Sequence, residues 1–374
     1  MKPWQRWSVF LAAVGLLLSV GLPTRAVEGR GTSSARFGYG VRLDLTDPDV
    51  EEELRRAGAL QFDWVAVDFD WAAHVPGPKR QPEMADLLAV SRAADQAGMN
   101  VLVSITHAPA WALSAQGPAP ALLADLAGEI LDRDQGSIRA LELFPGANTR
   151  AGWGRKPDPA AYFDFFQESS QSIRRDHPEV RLVVGGLLIN TNAGEPDDYP
   201  GLEFLSGLYS QGLHQRPEII GLRFPAGSFD PQKAGSKEGF AWRHYEKVRE
   251  VMLEHDHRSG LIWMTGFSAP APGQLGTGSA PEGNSGQWLQ ETFLRIRSQL
   301  YIQTAFFAPR TSLLEIFSAG DGSRPGAVST FIPASHAARE EADQGYPGDR
   351  SLPNVITKQL SRKTLVKKRP QAPQ

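Results

Sequence analysis

Acidic, basic and aromatic side chains follow the ends of several predicted strands, where their chemistry could converge. They are Asp70, Trp71, His107, Trp111, Glu142, Asn148, Trp153, Arg223 and Glu315. Carboxylates could supply acid–base or nucleophilic groups, tryptophan rings could stack on a sugar, and an arginine could hold an acidic ligand. The same residues also have ordinary structural uses: rings pack between loops, rim aspartates cap turns, and a buried arginine pairs with an acid such as Glu142.

Other reactive motifs are missing from the sequence. The chain has no cysteine, which excludes disulfides, thiol nucleophiles and thiolate metal sites. No HExxH, GxSxG or phosphate-binding loop is present, and the one histidine cluster, His255-Asp256-His257, falls at a helix end. We therefore predict no metal and no cofactor. The net charge of −3 gives no basic footprint for nucleic acid, so a nucleic-acid partner is not expected.

Eight short apolar runs alternate with helical stretches along the chain. Three helices are predicted, from Pro159, over Phe240–Leu253 and over Gln287–Ala308. The runs are predicted to be buried parallel strands, and they span Phe37–Asp44, Trp64–Asp70, Asn100–Thr106, Ile138–Phe144, Arg181–Leu188, Ile219–Phe224, Leu261–Phe267 and Ser312–Phe317.

Strict alternation with eight strands predicts an α/β fold, a single-domain (β/α)8 TIM barrel. A doubly wound open sheet is the alternative, although no GxGxxG follows any strand. In a barrel, active sites lie at the carboxyl ends of the strands. The residues above would then share one rim, and the Gly/Pro/Ser-rich segment 271–286 would be a long loop beside it.

The amino-terminal residues 1–26 resemble a signal peptide. Lys2 and Arg6 precede an apolar run, Ser8–Leu22, which is short for a membrane span, and small residues allow cleavage after Ala26. An uncleaved membrane anchor is the alternative. Either case predicts an exported protein, extracellular or in the cell envelope, with no other membrane contact.

The remaining chain divides by composition. Residues 27–35 are predicted to be a flexible leader, 36–335 the barrel, and 336–374 a carboxyl-terminal extension with a loose basic tail.

One long stretch, residues 140–187, resembles the fourth and fifth strands of clan A glycoside hydrolases, nearest to β-xylosidase-like and endoglycanase-like members of families 39 and 5. Glu142, Asn148, Trp153 and Tyr162 match that pattern, together with Pro157-Asp158-Pro159. Segments 62–76, 107–112, 197–213 and 245–268 resemble the neighbouring strands in the same order. The resemblance covers most of residues 37–331 and implies a sugar-cleaving TIM barrel.

Both catalytic positions depart from that family. The resemblance places the acid/base glutamate at Gly146 and the nucleophile glutamate at Gly266, and it replaces the sixth-strand His-x-Tyr by Arg223-Phe224-Pro225. Retaining hydrolysis needs two carboxyl groups about 5 Å apart, and glycine supplies neither. The sequence therefore predicts a pseudo-glycosidase that has kept the fold and lost the reaction. It would bind an oligosaccharide or polysaccharide, or act as a scaffold. The alternative is an active glycoside hydrolase with relocated carboxylates, Asp70 and Glu315.

Overall fold

The computed structural model describes residues 37–135, 137–189, 197–224, 243–269, 285–310 and 313. Eight parallel strands form a closed barrel in which each strand pairs with its sequence neighbours and β8 pairs with β1. The strands are β1 Gly38–Leu43, β2 Trp64–Asp70, β3 Asn100–Thr106, β4 Ile138–Leu143, β5 Arg181–Leu188, β6 Ile219–Arg223, β7 Ile262–Phe267 and β8 Ile302–Phe307.

Helices connect the strands on the outside of the barrel. They are α1 Val50–Ala59, α2 Trp71–His74, α3 Ala85–Gln96, α4 Pro120–Arg133, α5 Arg150–Trp153, α6 Pro159–Asp176, α7 Gly201–Ser210, α8 His244–Glu254 and α9 Ser285–Arg297. Short 3₁₀ turns cover Ala110–Ala112 and Leu213–Gln215. Among the described residues, no helix combines the length and apolarity needed to cross a membrane.

Helix α6 shows how the sequence sets these elements. The Asp158 carboxylate accepts from the Ala160 backbone N–H, and Pro159 fills the first helical position, where no N–H is needed. The helix ends at Asp176, just before Pro178. Its buried face carries Tyr162 and Phe166, and the Tyr162 hydroxyl donates to Leu143 O and accepts from Gly185 N. The helix is thereby fixed against β4 and β5.

Apolar side chains fill the amino-terminal part of the barrel interior, and we call this group the barrel plug. The rings of Trp64 and Trp263 meet edge to face at 4.9 Å, and a Cβ on Gly40 would lie 2.4 Å from the Phe306 ring. The glycine on β1 is therefore required by the ring on β8. The barrel plug consists of Trp64, Ala66, Leu102, Ala140, Val183, Ile219, Trp263 and Phe306.

The closed barrel confirms the predicted fold and excludes the open-sheet alternative. Seven predicted strands agree with the structure to within one residue at each end. The eighth is wrong: β8 is Ile302–Phe307, inside the stretch predicted to be helical, and α9 stops at Arg297. A short apolar run after a helix has no period that separates strand from buried helix. Apart from Leu313, the predicted strand Ser312–Phe317 lies outside the described residues.

The predicted segments 1–26, 27–35 and 336–374 also lie outside the described residues, as do residues 271–284 of the predicted long loop. The described barrel elements run from β1 to β8, within the predicted domain 36–335.

Candidate functional site

Four charged side chains meet inside the barrel, one layer nearer the carboxyl ends of the strands than the barrel plug. We call Arg42, Asp68, Glu142 and Arg223 the charge square. Arg42 Nη1 lies 2.7 Å from Asp68 Oδ1, and Arg42 Nη2 lies 3.6 Å from Glu142 Oε2. Arg223 Nη2 contacts the same two oxygens, at 2.7 Å and 3.0 Å. Two positive and two negative groups thus compensate one another within hydrogen-bond range.

Glu142 is the buried corner of the charge square. Its side chain has no exposed surface, and besides the arginines it accepts from Ser104 Oγ at 2.5 Å and Gly186 N at 3.0 Å. A Cβ on Gly186 would lie 2.5 Å from Glu142 Oε1, so that position needs glycine. The carboxylate is enclosed and cannot touch a leaving group in the mouth of the barrel.

Asp68 is the exposed corner, with 45% of its side chain accessible. Burial of its carboxyl group works to raise the pKa, but the positive charges of Arg42 and Arg223 outweigh it and lower the pKa to about 2. Burial and repulsion from Arg223 lower the pKa of Arg42, whereas Glu142 and Asp68 raise that of Arg223 against its burial. Asp68 is therefore a carboxylate, not an acid, at any pH near neutral.

The two glycines at the inferred catalytic positions face different surroundings. A Cβ on Gly266, in β7, would point at Arg42 Nε (3.6 Å) and at Arg223 Cγ (3.7 Å). A Cβ on Gly146 would instead meet Thr149 Oγ1 (3.5 Å) and Leu188 Cδ1 (3.9 Å), and Gly146 has φ of +73°. A side chain at 266 would thus enter the charge square, whereas one at 146 would adopt a strained backbone and point toward α5.

The predicted aromatic platform is largely enclosed. Trp71 and Trp153 are each 1% exposed and pack around Phe144, with ring centroids 6.4 Å and 5.8 Å from it. Trp111 is half-buried and donates from Nε1 to Val75 O. Trp71 and Trp153 have no open ring face on which a sugar could stack. Of the two roles considered for them, the structure therefore shows packing between loops.

Asp70 and His107 form a pair at the rim. His107 Nδ1 lies 2.9 Å from Asp70 Oδ2, and the two side chains are 58% and 41% exposed. Asp70 Oδ1 also accepts from Ala73 N and caps α2. His107 holds a left-handed φ of +45°, an unusual backbone for a residue with a side chain. The pair presents one imidazole edge and part of a carboxylate to solvent.

The other predicted site residues separate into two cases. Asn148 is buried, donates from Nδ2 to Leu188 O and Tyr199 O, and accepts from Leu188 N, so it fastens loops together. Glu315 lies outside the described residues. The structure thus brings Glu142 and Arg223 together and places Asp70 with His107.

Sequence reasoning missed Arg42 and Asp68. Both occupy inward positions next to strand ends, two residues before Asp44 and Asp70, and strand alternation is the signal that could have found them. No group of three or more potential metal ligands occurs in the described part of the chain. In the predicted histidine cluster, buried His257 bonds through Nδ1 to the Tyr209 hydroxyl at 2.8 Å, on the amino-terminal side of β7.

Comparisons with solved structures find glycosidase barrels at low sequence identity. A glucosidase from Croceicoccus marinus superposes with a TM-score of 0.57 and 13% identity, covering 80% of this chain and 68% of its own. A family 39 glycoside hydrolase from Bacteroides cellulosilyticus gives 0.51 and 15%, with coverage of 80% and 60%. ZgEngAGH5_4 in complex with a cellotriose gives 0.50 and 14%, with coverage of 73% and 88%.

No family model and no curated protein matches the sequence. The chain spans about three fifths of the family 39 enzyme. At these identities the likeness concerns architecture, and it confirms the predicted resemblance at that level: the chain has the (β/α)8 barrel fold of family 39 and family 5 glycosidases.

Proposed function

We propose that this protein is a pseudo-glycosidase: an exported barrel that binds a saccharide at its mouth without hydrolysing it. The charge square is the observation that carries the proposal. Asp68 and Glu142 share Arg223 Nη2, with contacts of 2.7 Å and 3.0 Å, so two carboxyl groups do lie near each other inside the barrel. Their chemistry, however, is that of a compensated ion-pair network.

Glycoside hydrolysis needs one carboxyl group that is protonated when the leaving oxygen departs. Glycosidases obtain it by raising a carboxyl pKa through burial or a neighbouring negative charge. Asp68 has the opposite environment, since two arginines lower its pKa to about 2. Glu142 is enclosed and accepts from Ser104, Gly186 and Arg223. Neither member of the pair is placed to protonate a glycosidic oxygen.

Relocated carboxylates receive less support than inactivity. Asp70 is occupied as the cap of α2 and as the partner of His107. A catalytic carboxylate must act with a second one at a defined separation, about 5–5.5 Å for retention or 6.5–9.5 Å for inversion. Asp68 lies two residues before Asp70 on the same strand, and its carboxylate is already paired with Arg42 and Arg223.

Saccharide binding is supported by polar side chains in the mouth that keep exposed surface beside the partners they already have. Asp68, Asp70 and His107 are all partly exposed at the carboxyl ends of β2 and β3. Carboxylate and imidazole groups are suited to sugar hydroxyls. The comparison with a barrel that holds cellotriose supports this ligand class.

A hydrolysis assay on the full chain tests the loss of activity. Nitrophenyl xyloside and glucoside should be turned over no faster than in buffer, for wild type and for Asp68→Asn alike. Turnover that disappears in Asp70→Asn or Glu315→Gln would establish the relocated-carboxylate enzyme and refute the proposal.

Calorimetric titration with cello- and xylo-oligosaccharides tests binding. The variant His107→Ala should weaken the affinity about tenfold, the usual effect of losing one good hydrogen bond. His214→Ala is the matched control, because His214 is exposed next to the amino end of β6, away from the mouth. No binding to any oligosaccharide would refute saccharide binding and leave a scaffold role. Measurable binding with equal affinities for wild type and both variants would instead show that the bound saccharide does not contact His107, and would refute the mouth as its site.

A further inference from the structure

Within the described part of the chain, one donor of the charge square lacks an acceptor. Arg223 Nη2 and Nη1 reach Asp68 and Glu142, but the buried Nε finds no hydrogen-bond partner among the described residues. A buried guanidinium N–H without an acceptor is unfavourable, and native proteins rarely leave one. The atom therefore indicates that something outside this set of contacts accepts from it.

Space for an acceptor lies in front of Gly266. A Cβ built there would be 3.9 Å from Arg223 Cδ, the carbon bonded to Nε, and 3.6 Å from Arg42 Nε. These are ordinary van der Waals contact distances, so a methyl group at this position would fit without displacing either arginine. We call the space that such a methyl group would fill the Gly266 slot. Gly186, against the same arginine, is different: a Cβ there would lie 2.9 Å from Arg223 Cγ and 2.5 Å from Glu142 Oε1.

The two side chains that border the Gly266 slot are cations, although Asp68 and Glu142 balance their charge within the charge square. Arg42 and Arg223 both border the slot, and their side chains are only 11% and 20% exposed. A guanidinium with a free N–H prefers an ionised acceptor, since charge-assisted hydrogen bonds are roughly twice as strong as neutral ones. Asp68, the exposed corner, places one side of the charge square at the solvent.

We propose that the Gly266 slot binds one carboxylate group of a ligand, which accepts from Arg223 Nε. The ligand class is then a saccharide carrying an acid, such as a uronic acid. The assignment of the ligand as an acidic saccharide rests on the proposed saccharide-binding function. The carboxylate slot itself does not depend on that function. Because Asp68 already supplies negative charge to the same arginines, it competes with the incoming carboxylate.

Titration of the full chain with formate, against chloride at equal ionic strength, tests the slot with the smallest carboxylate. Wild type should bind formate in preference to chloride. Gly266→Ala should lower the formate affinity about tenfold or more, because its methyl group occupies the slot without a clash, and Arg223→Lys should do the same by removing Nε–H while keeping a cation. Gly128→Ala is the matched control, since a Cβ on Gly128 meets nothing within 4 Å.

Two further titrations test whether the bound group is charged and whether a saccharide can supply it. Asp68→Asn should tighten formate binding, an effect that a neutral occupant of the slot would not show. Glucuronate should bind with the same variant pattern as formate, whereas glucose should be insensitive to Gly266→Ala. No preference for formate over chloride, or unchanged formate binding in folded Gly266→Ala, would overturn the carboxylate slot. Formate binding without any saccharide binding would support the carboxylate slot but refute the proposed saccharide-binding function.

Discussion

At the residue scale, the mouth of this barrel is governed by charge compensation. Arg42 and Arg223 each contact both Asp68 and Glu142, so no corner of the charge square can be removed without leaving an unmatched neighbour. Desolvation makes such buried networks only weakly stabilising as a whole, but very sensitive to the loss of one member. Both carboxylates are therefore partners of the arginines.

Glu142→Gln should show this sensitivity. The substitution keeps the shape of a fully buried side chain but removes the negative charge that faces two arginines. We expect the free energy of unfolding to fall by about 3–5 kcal/mol, as for other broken buried pairs. Denaturant titration followed by circular dichroism measures it.

The control for that change is Glu129→Gln, an exposed partner of Arg133 on α4, which should cost less than about 1 kcal/mol. Equal effects of the two substitutions would contradict the view of Glu142 as an enclosed structural charge.

The sequence identified Glu142 and Arg223 as candidates and allowed for their pairing, which the structure contains. It did not single out Arg42 and Asp68. The sequence around a charged residue in an apolar run does not show which oppositely charged residue pairs with it across the barrel. The sequence also left sugar stacking and ordinary packing as equal alternatives for Trp71 and Trp153. Trp71 packs against Phe144, and Trp153 packs against Phe144 and against Phe165 of α6, contacts that a linear pattern does not encode.

At the element scale, the connection from α8 to β7 is held by a histidine. His257 is buried, bonds to the Tyr209 hydroxyl on α7, and packs edge-on against the same ring. Arg249 on α8 donates to the backbone carbonyls of His257, Arg258 and Gly260. The turn is thereby tied to two helices before β7 begins, so the start of that strand depends on an uncharged imidazole.

The protonation of His257 should make the fold acid-sensitive. Burial, then the positive charges of Arg249 and His214, lower its pKa below the ordinary value of 6.5. The unfolded chain therefore binds a proton before the folded one does, and stability is full above about pH 6.5 and declines as the pH falls toward the lowered pKa. Thermal melts from pH 7.5 to pH 5 should show a shallower decline for His257→Gln.

Asp256→Asn changes an exposed neighbour in the same turn and serves as the control, with the wild-type pH dependence. An undiminished decline in His257→Gln would assign the acid sensitivity to other groups.

Elements with strong periodicity or clear boundary residues, such as α6, could be predicted from the sequence. The strand β8 could not. Asp158-Pro159 and Pro178 bracket α6 in the sequence as they do in the structure. The stretch after α9 carries no such boundary: Ser298 and Gln299 are ordinary helix-end residues, and the apolar run Ile302–Phe307 fits a buried helix as well as a strand. Only the need to close the barrel against β1 assigns it to a strand.

At the scale of the whole molecule, closure joins the two ends of the barrel into one cooperative body. β8 pairs with β1 through Gly38–Val41, and Leu313, beyond β8, is fully buried and donates its backbone N–H to Glu53 on α1 at 2.7 Å. The last described residue of the chain thus packs on the first helix. Loss of this contact should affect the entire barrel, not one edge.

Leu313→Ala should therefore lower the stability of the whole barrel by about 2–5 kcal/mol, the usual cost of truncating a buried leucine. Tryptophan fluorescence reports on tertiary packing, to which Trp64 and Trp263 of the barrel plug contribute, and far-ultraviolet circular dichroism reports on the helices. Both signals should shift to the same lower midpoint.

Leu300→Ala provides the control, because Leu300 is 77% exposed and its truncation should leave the midpoint nearly unchanged. Separate transitions for the two signals in Leu313→Ala would show that the barrel opens in parts.

The barrel plug limits where a polysaccharide, the proposed ligand, could lie. Since tryptophan and phenylalanine rings seal the cylinder beneath the charge square, a polymer can lie across the opening but cannot be threaded through it. The proposed saccharide would therefore have to leave through the same opening by which it entered.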